Sequence, residues 1–219
     1  MKIRNLGVEN SLFNQFISEV RNTKIQNDAM RFRRNMERIG EIFAYEISKT
    51  LPFEKTTINT PLGEVDMNII CQQPILATIL RAGLPLHQGL LNYFDKAENA
   101  FISAFRKHDV EGNFEIQIDY MSSPMLKNKT LIIIDPMLAT GKSMVLTYRE
   151  LITMGVPKHI HIVSVIASVD GIEYIQKHLP HSKTSIWLGA IDQELTAQSY
   201  IVPGLGDAGD LAFGAKLQE

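Results

Sequence analysis

The stretch that decides the fold is LIIIDPMLATGKSM, residues 131–144. Its first four residues form an unbroken apolar run, which predicts a strand buried on both faces of a sheet. Asp135 ends this strand, and a loop of small residues at 139–141 leads into a helix predicted over residues 143–154. Because the first turn of a helix has N–H groups without partners inside the helix, this strand–loop–helix unit favours a bound anion.

A phosphate is the anion that this loop suits best. The hydroxyls of Thr140 and Ser143 would add donors to the backbone N–H groups. The Asp135 carboxylate can accept from two neighbouring hydroxyls, which suits a sugar, so the implied group is a ribose 5-phosphate. A nucleotide-hydrolysing P-loop is disfavoured, because that motif needs a glycine where this chain has Pro136. An ordinary strand-to-helix turn is the alternative that this segment alone leaves open.

The remainder of the chain alternates short apolar strands with helices. Asn27 is the predicted cap of a long second helix. Such alternation gives βαβ units, so the fold class is α/β, with a mainly parallel central sheet flanked by helices. Strands are predicted at residues 55–60, 64–70, 75–80, 100–105, 114–120, 131–134, 160–167 and 185–191, and helices at 11–21, 27–50, 143–154, 170–179 and from Pro85.

The whole chain of 219 residues is predicted to be a single domain with three parts. Residues 1–55 form an N-terminal helical arm, residues 56–190 an α/β core, and residues 191–219 a small hood segment. The polar stretch at residues 107–130 predicts a mobile hairpin lid.

The bulk composition excludes several classes of function. A net charge of −2, without basic patches interleaved with aromatic residues, argues against nucleic acid as a partner. The apolar runs are too short to span a bilayer and no targeting segment is evident, so a cytoplasmic location is expected. The single cysteine, Cys71, excludes an internal disulfide and is expected to be a buried structural thiol.

Charged residues follow three of the predicted strands, namely Arg81, Arg106 and Asp135. Ligands of open parallel sheets bind beyond the carboxyl ends of the strands, so these side chains should share one rim. Further along, the glycine-rich residues 200–210 would let the backbone approach a flat ligand closely. Exposed amides and carbonyls of such a segment can recognise donors and acceptors on the edge of that ligand.

Four motifs carry a resemblance to a known family. DPMLATG at residues 135–141 resembles the PRPP-binding signature of the type I phosphoribosyltransferases, in the form found in the uracil phosphoribosyltransferase family. ILRAGL at residues 79–84 is similar to that family's pyrophosphate loop, and Phe105-Arg106 falls where the family has Tyr-Arg-Asp. YIVPGLGDAGD at residues 200–210 is similar, almost letter for letter, to its uracil-binding segment.

The resemblance implies transfer of the phosphoribosyl group of PRPP to uracil, with release of pyrophosphate. It also implies a type I phosphoribosyltransferase-like fold, Mg²⁺ held mainly by PRPP and water rather than by protein ligands, and GTP as a candidate effector. The amphipathic amino-terminal helices favour a homodimer or higher homo-oligomer. The residues implied to be catalytic are Arg106, Asp135 and Asp207. Those implied to bind PRPP are Arg81, Arg106, Asp135, Pro136, Met137, Leu138, Ala139, Thr140, Gly141, Lys142, Ser143 and Asp207, and those implied to bind uracil are Ile201, Gly206, Asp207 and Ala208.

Two other functions stay open at this point. One is the same transfer to a different base, and the other is a regulatory protein of the same fold that senses nucleotides and binds RNA or a partner protein. The chain departs from the family pattern on the pyrophosphate side, where Lys142 replaces the usual glycine and His108-Asp109 and Ser122-Ser123 replace the expected residues.

Overall fold

The amino-terminal residues supply one sheet strand and two amphipathic helices. The computed structural model describes residues 1–108 and 114–216, apart from the side chains of residues 104–117. Strand β1 (Lys2–Asn5) is followed by helices α1 (Leu12–Arg21) and α2 (Ala29–Ser48). The predicted cap of α2 is wrong by one residue: Asp28, not Asn27, caps the helix, with its carboxylate accepting from the N–H of Arg31 at 3.1 Å.

A hairpin of two exposed strands comes next. It consists of β2 (Phe53–Thr60) and β3 (Gly63–Ile70), which pair only with each other in the described part of the chain. Cys71 lies at its end and is exposed, so the prediction of a buried thiol is wrong. Of the apolar residues before it that suggested burial, Ile69 is exposed on this hairpin and Ile70 is only partly buried.

Strands and helices then alternate to build the central sheet and the elements above it. In chain order they are β4 (Ile75–Leu80), α3 (Leu84–Tyr93), β5 (Glu98–His108), β6 (Phe114–Ser122), β7 (Thr130–Ile134), β8 (Met137–Leu138), α4 (Lys142–Leu151), β9 (His159–Ser168), α5 (Val169–His178), β10 (Thr184–Asp192), β11 (Glu194–Leu195), β12 (Ile201–Val202) and α6 (Ala208–Phe213).

The central sheet confirms the predicted architecture. Its order across the described residues is β1-β10-β9-β7-β4-β5-β6, with β8 added beside β9. Neighbouring strands are parallel throughout, except that β6 runs antiparallel to β5. Helices α1, α2 and α3 cover one face and α4 and α5 the other, and each face has its own apolar cluster. The central strands are therefore buried on both sides, as their continuous apolar sequences predict.

The hairpin of β5 and β6 occupies the position of the predicted lid. Residues 109–113, which include Asp109 of the altered motif, lie outside the described residues, and the predicted mobility of the lid stays a prediction. Helix α4 ends three residues earlier than expected and continues as a 3₁₀ turn at Ile152–Met154. Across the residues that the structure describes, none of the helices is both long and apolar enough to cross a membrane.

Candidate active site

One cavity of about 700 Å³ opens beyond the carboxyl ends of β4 and β7. This is the rim where ligands of open parallel sheets bind. Loops from three separate parts of the chain surround it: the residues after β4, the loop between β7 and α4, and the segment from β12 to α6. The lining residues are Ile79, Leu80, Arg81, Ala82, Ser103, Asp135, Met137, Leu138, Ala139, Thr140, Gly141, Ser143, Met144, Gln198, Ser199, Tyr200, Ile201, Gly206, Asp207, Ala208, Gly209 and Lys216.

The loop between β7 and α4 is held in place by its neighbours in the sheet. The Ser168 hydroxyl donates to the Ala139 carbonyl, and the Ser164 hydroxyl donates to the Asp135 carbonyl at 2.6 Å. Gly141 starts α4 with φ of +74°, and a Cβ there would lie 2.9 Å from the carbonyl oxygen of Gly171. At the start of α4 the N–H of Lys142 donates to the Thr140 hydroxyl at 3.4 Å. The N–H groups of a helix's first turn lack partners inside the helix, so those of α4 can donate to a ligand in the cavity.

The turn after β4 places the side chain of Arg81 at the wall of the cavity opposite the loop between β7 and α4. Arg81 follows a cis peptide bond with Leu80, and its side chain is 43 % exposed. The guanidinium lies 3.5 Å from the Asp210 carboxylate and donates to the carbonyl of Gly214 at 3.3 Å. Asp210 belongs to α6 and Gly214 follows it, so these contacts link the turn after β4 to the segment beyond β12.

The segment between β12 and α6 is anchored from below by a partly buried ion pair. Arg21 of α1 forms two bonds of 2.9 Å with the carboxylate of Asp192 at the end of β10. The same carboxylate accepts from the N–H of Gly204 at 2.9 Å. A Cβ at Gly204 would collide with the carbonyl of Ile201, and its φ of +56° also favours glycine. The main chain that faces the cavity is therefore held in one conformation.

A second anchor holds the same segment from the α1–α2 connection. The buried side-chain amide of Gln26 donates to the carbonyls of Val20 and Leu205, at 2.9 and 2.8 Å. Leu205 itself is buried in the core, next to the cavity residues Gly206 to Ala208. These contacts therefore hold in place the main chain whose amides face the cavity.

Asp207 has two contacts with different consequences. It caps α6, because its carboxylate accepts from the N–H of Asp210 at 3.0 Å, and it pairs with Lys216 at 3.2 Å. Burial by itself would raise the pKa of Asp207, but the Asp210 N–H and the Lys216 ammonium outweigh it and lower the pKa. Asp207 is therefore ionised at neutral pH.

Asp135 behaves in the opposite way. Its side chain stands among protein atoms at the floor of the cavity, although part of its surface faces the opening. Burial raises its pKa to about 7, and the negative charge of Asp207 adds to the rise, while the N–H of Met137 at 3.4 Å opposes it. The free protein therefore holds this carboxyl partly protonated at neutral pH, and a cation or a donor from a ligand would favour its ionised form.

Most of the predicted site residues meet at this cavity, whereas Pro136 and Lys142 are not part of its lining. Pro136 points its carbonyl at β9, where the N–H groups of Val165 and Ile166 donate to it. Lys142 is exposed at the start of α4. Arg106 belongs to β5, but its side chain lies outside the described residues. The roles of all these residues in binding stay predictions.

Some residues of the cavity escaped sequence reasoning. Lys216 brings a cation to Asp207, and Ser103 of β5 and Ser199 add hydroxyls to the wall. The only signal for Lys216 was a cation placed shortly after the glycine-rich segment, which is too weak to single it out. Ser103 carried no signal, because one hydroxyl within a strand has no pattern around it.

Comparison with known proteins gives the family. The family model described as uracil phosphoribosyltransferase matches residues 8–215. A protein of Porphyromonas gingivalis named uracil phosphoribosyltransferase is 56% identical over 217 residues, which cover 99% of this chain and 100% of that protein. One of the same name from Methanococcus vannielii is 40% identical over 201 residues, which cover 90% of this chain and 84% of that protein.

Solved structures agree on the fold. A protein of Aquifex aeolicus superposes with a TM-score of 0.86 and 29% identity, covering 99% of this chain and 100% of the other. A hypoxanthine phosphoribosyltransferase of Staphylococcus aureus, at 16% identity, superposes with a TM-score of 0.50 over 85% of this chain and 83% of its own. The fold is that of the type I phosphoribosyltransferases, and with the match over residues 8–215 the chain belongs to the uracil phosphoribosyltransferase family.

Proposed function

We propose that this protein transfers the 5-phosphoribosyl group of PRPP to uracil, giving UMP and pyrophosphate. The observation that carries the proposal is that one cavity joins the loop after β7 to the main chain between β12 and α6. The first suits a ribose phosphate and the second a flat base, so the two halves of the product can meet there. No cavity residue favours the RNA-binding alternative, and the chain's net charge of −2 weighs against it.

The ribose phosphate is expected to lie over the start of α4. Backbone N–H groups of residues 139–143 and the hydroxyls of Thr140 and Ser143 would surround the phosphate, with the positive end of the helix dipole behind it. The Asp135 carboxylate would accept from two ribose hydroxyls. Such charge-assisted bonds would favour its ionised form when the ligand is bound.

Uracil is expected to bind main chain rather than side chains. Its edge has two carbonyls and two N–H groups, and the main chain at Ile201 and at residues 206–208 offers donors and acceptors next to the ribose site. Because Arg21, Asp192 and Gln26 anchor this segment, the recognising groups are pre-organised, which reduces the cost of binding.

The protein's task in the reaction is positioning and charge neutralisation. Bond breaking at the anomeric carbon leaves positive charge on the sugar and negative charge on pyrophosphate. Arg81, with Arg106, would stabilise the departing pyrophosphate through guanidinium donors. The ionised Asp207 lies in the same cavity as Asp135, near where the positive charge on the sugar would develop. Holding uracil and sugar together would supply much of the remaining acceleration.

The carboxylates of the cavity fit a divalent cation. The raised pKa of Asp135 reflects burial and the nearby charge of Asp207, and a cation would relieve both. Among the described residues no three His, Cys, Asp or Glu side chains cluster closely enough to cage a metal. We propose that Mg²⁺ is held mainly by PRPP and water, with Asp207 binding one of its waters. When bound, it would neutralise charge on the pyrophosphate.

The protein is also proposed to work as a homodimer or higher homo-oligomer. The hairpin of β2 and β3 stands away from the core, and one of its faces combines Ile58, Val65, Met67 and Ile69, all of them exposed. A two-stranded hairpin with an exposed apolar face is marginal by itself. A second copy of the chain would cover it. Activation by GTP and a cytoplasmic location stay predictions.

The direct test mixes the protein with Mg²⁺, PRPP and one base at a time, and separates the products. We expect UMP with uracil, and turnover at least about 10²-fold lower with cytosine, hypoxanthine or adenine. If the main product were the nucleotide of another base, that base rather than uracil would be the substrate. No nucleotide with any base, from protein that is folded and binds PRPP, would reject the proposal, and tight RNA binding at moderate salt would favour the regulatory alternative.

A further inference from the structure

A second cavity, of about 460 Å³, lies at the opposite end of the sheet from the proposed active site. It opens at the amino ends of the parallel strands β1, β9 and β10, whereas PRPP is expected at the carboxyl ends. Its volume falls within the range of about 300–1,000 Å³ that is usual for ligand pockets. The residues that line it are Lys2, Arg4, Thr50, Leu51, Pro52, Gln72, Thr130, Lys158, His159, His161, Ser185 and Trp187.

Strand register brings polar residues together on one face of this end of the sheet. Lys2 pairs with Ser185, which pairs in turn with His161, and Arg4 pairs with Trp187. Residues two apart on a strand share a face, so neighbouring strands present polar side chains side by side. Ser185 and His161 are both buried, and the Ser185 hydroxyl lies 3.0 Å from Nε2 of His159, which fixes its place on this face.

The lining carries cations without carboxylates. Lys2, Arg4 and Lys158 bring basic side chains to the lining, which includes no Asp or Glu. In the part of the chain described here, none of the three has a carboxylate oxygen within 4.0 Å. Since the whole chain is slightly acidic, this accumulation of positive charge is local and strengthens the attraction for an anion.

Neighbouring groups orient the donors of the cavity. The Arg4 guanidinium lies 4.9 Å from the ring centroid of Trp187, which holds the arginine over the sheet. The Trp187 indole N–H donates to Nδ1 of His161 at 2.9 Å, so the proton of the neutral imidazole is on Nε2. Burial, with smaller contributions from His159 and Arg4, lowers the pKa of His161 to about 3, so His161 is a neutral donor at physiological pH.

We propose that this cavity binds a phosphate-bearing anion through Lys2, Arg4 and Lys158, with the hydroxyl and imidazole donors of β9 and β10 completing the site. Arginine and lysine are the usual phosphate ligands of proteins. The ligand class is a small polyphosphate, either inorganic or the phosphate chain of a nucleotide. The site is independent of the proposed transferase activity, because it lies at the other end of the strands.

The chain provides its own reporter, because Trp187 is its only tryptophan and belongs to this cavity. The full-length protein would be titrated with sodium tripolyphosphate, and with ATP in a separate experiment, while tryptophan fluorescence and the single indole N–H resonance are followed. We expect a saturable change with both probes. Equal affinities would identify the polyphosphate as the ligand, and tighter binding of ATP would show that the nucleoside also contributes.

Variants assign the signal to the cavity. Lys158→Ala and Lys2→Ala are each expected to weaken binding about tenfold or more, because each removes a charged donor. Both side chains are exposed and leave the core intact, unlike Arg4→Ala, which would also remove a contact to Trp187. Lys24→Ala, an exposed lysine away from the cavity, is the matched control and should bind like the wild type.

The enzyme assay provides a further control, since Lys158→Ala should form UMP at the wild-type rate when no polyphosphate is added. Two results would overturn the proposal. One is the absence of any saturable tryptophan change with either probe. The other is binding that Lys2→Ala and Lys158→Ala leave unchanged while both proteins remain folded by circular dichroism.

Discussion

Asp207 serves the helix that follows it and, as proposed, the reaction, and substitution can separate the two. Asn at this position can still accept the N–H of Asp210, because Asn and Asp are equally good helix caps. It lacks the negative charge that pairs with Lys216 and that a magnesium-bound water would need. The capping role and the proposed catalytic role therefore predict different outcomes for one variant.

We expect Asp207→Asn to lower kcat/KM for UMP formation on the order of 10²-fold, at an unchanged unfolding midpoint. Asp207→Ala should lose the same activity and about 1 kcal/mol of stability in addition, because the cap is gone. Steady-state kinetics and thermal unfolding of both variants make the comparison. Full activity of Asp207→Asn would mean that the residue is a helix cap alone.

The raised pKa of Asp135 predicts a pH dependence of ligand binding. Its carboxyl is protonated well below pH 7 and cannot then accept from both ribose hydroxyls. The affinity for ribose 5-phosphate should therefore rise with pH up to about 7, by as much as about tenfold per unit. Asp135→Asn should lack this rise. The ratio of the affinities of wild type and Asp135→Asn at each pH cancels the effect of the ligand's own titration. A ratio that is independent of pH would contradict the assignment.

The same shift has a consequence for stability. The folded-state pKa of Asp135 lies above its ordinary value of 3.8, so the folded protein binds the proton more tightly than the unfolded chain does. The stability that this gives is complete below about pH 4 and is lost as the pH rises through about 7. Asp135→Asn should therefore flatten this part of the curve of unfolding free energy against pH.

At the residue scale, sequence reasoning found groups that belong to motifs and missed those that depend on tertiary contacts. Asp135 and Asp207 stand within recognisable segments, and both line the cavity. Lys216 and the anchor Asp192 have no local pattern, because their partners lie far away in the sequence or on other elements. Cys71 was misplaced for a similar reason: its apolar neighbours form an exposed hairpin.

Among the elements, the anchor between α1, β10 and the segment after β12 makes the clearest prediction. Asp192→Ala would leave the Arg21 guanidinium and the N–H of Gly204 without their acceptor. We expect the unfolding free energy to fall by about 1–3 kcal/mol and the KM for uracil to rise about tenfold or more, with a smaller change in the KM for PRPP. Denaturant unfolding and steady-state kinetics measure both effects.

Glu46→Ala is the matched control for this variant. It removes a surface pair with Lys49, so we expect a change of less than about 1 kcal/mol and normal kinetics. Equal effects of Asp192→Ala on the two KM values would show that the anchor supports the whole cavity rather than the uracil side.

The longer elements were predictable and the shortest were not. Strand β4 has the predicted bounds, because a mostly apolar run between Pro74 and Arg81 defines it. Strand β1 was missed, because Lys2–Asn5 has no apolar run and becomes a strand only by pairing with β10. Strands β8, β11 and β12 have two residues each, and their pairing partners rather than their own sequences determine them.

For the whole molecule, the exposed hairpin predicts how copies of the chain associate. We expect the wild type to be larger than its monomer mass of 24.7 kDa in light scattering, and Val65→Asp with Met67→Asp to shift it toward the monomer. The reason is that two charges on the apolar face cannot be buried against a second copy. Asn59→Asp with Asn68→Asp, on the opposite face of the hairpin, is the control. A monomeric wild type would refute this mode of assembly.

The parts of the chain far apart in sequence converge on one rim of the sheet, and the measurement that tests this most directly is a crystal structure with bound UMP. We expect the phosphate to accept N–H groups of residues 139–143 over the start of α4, and the uracil ring to contact main chain at Ile201 and residues 206–208. A product bound with its base away from that segment, or at the other end of the sheet, would contradict the account.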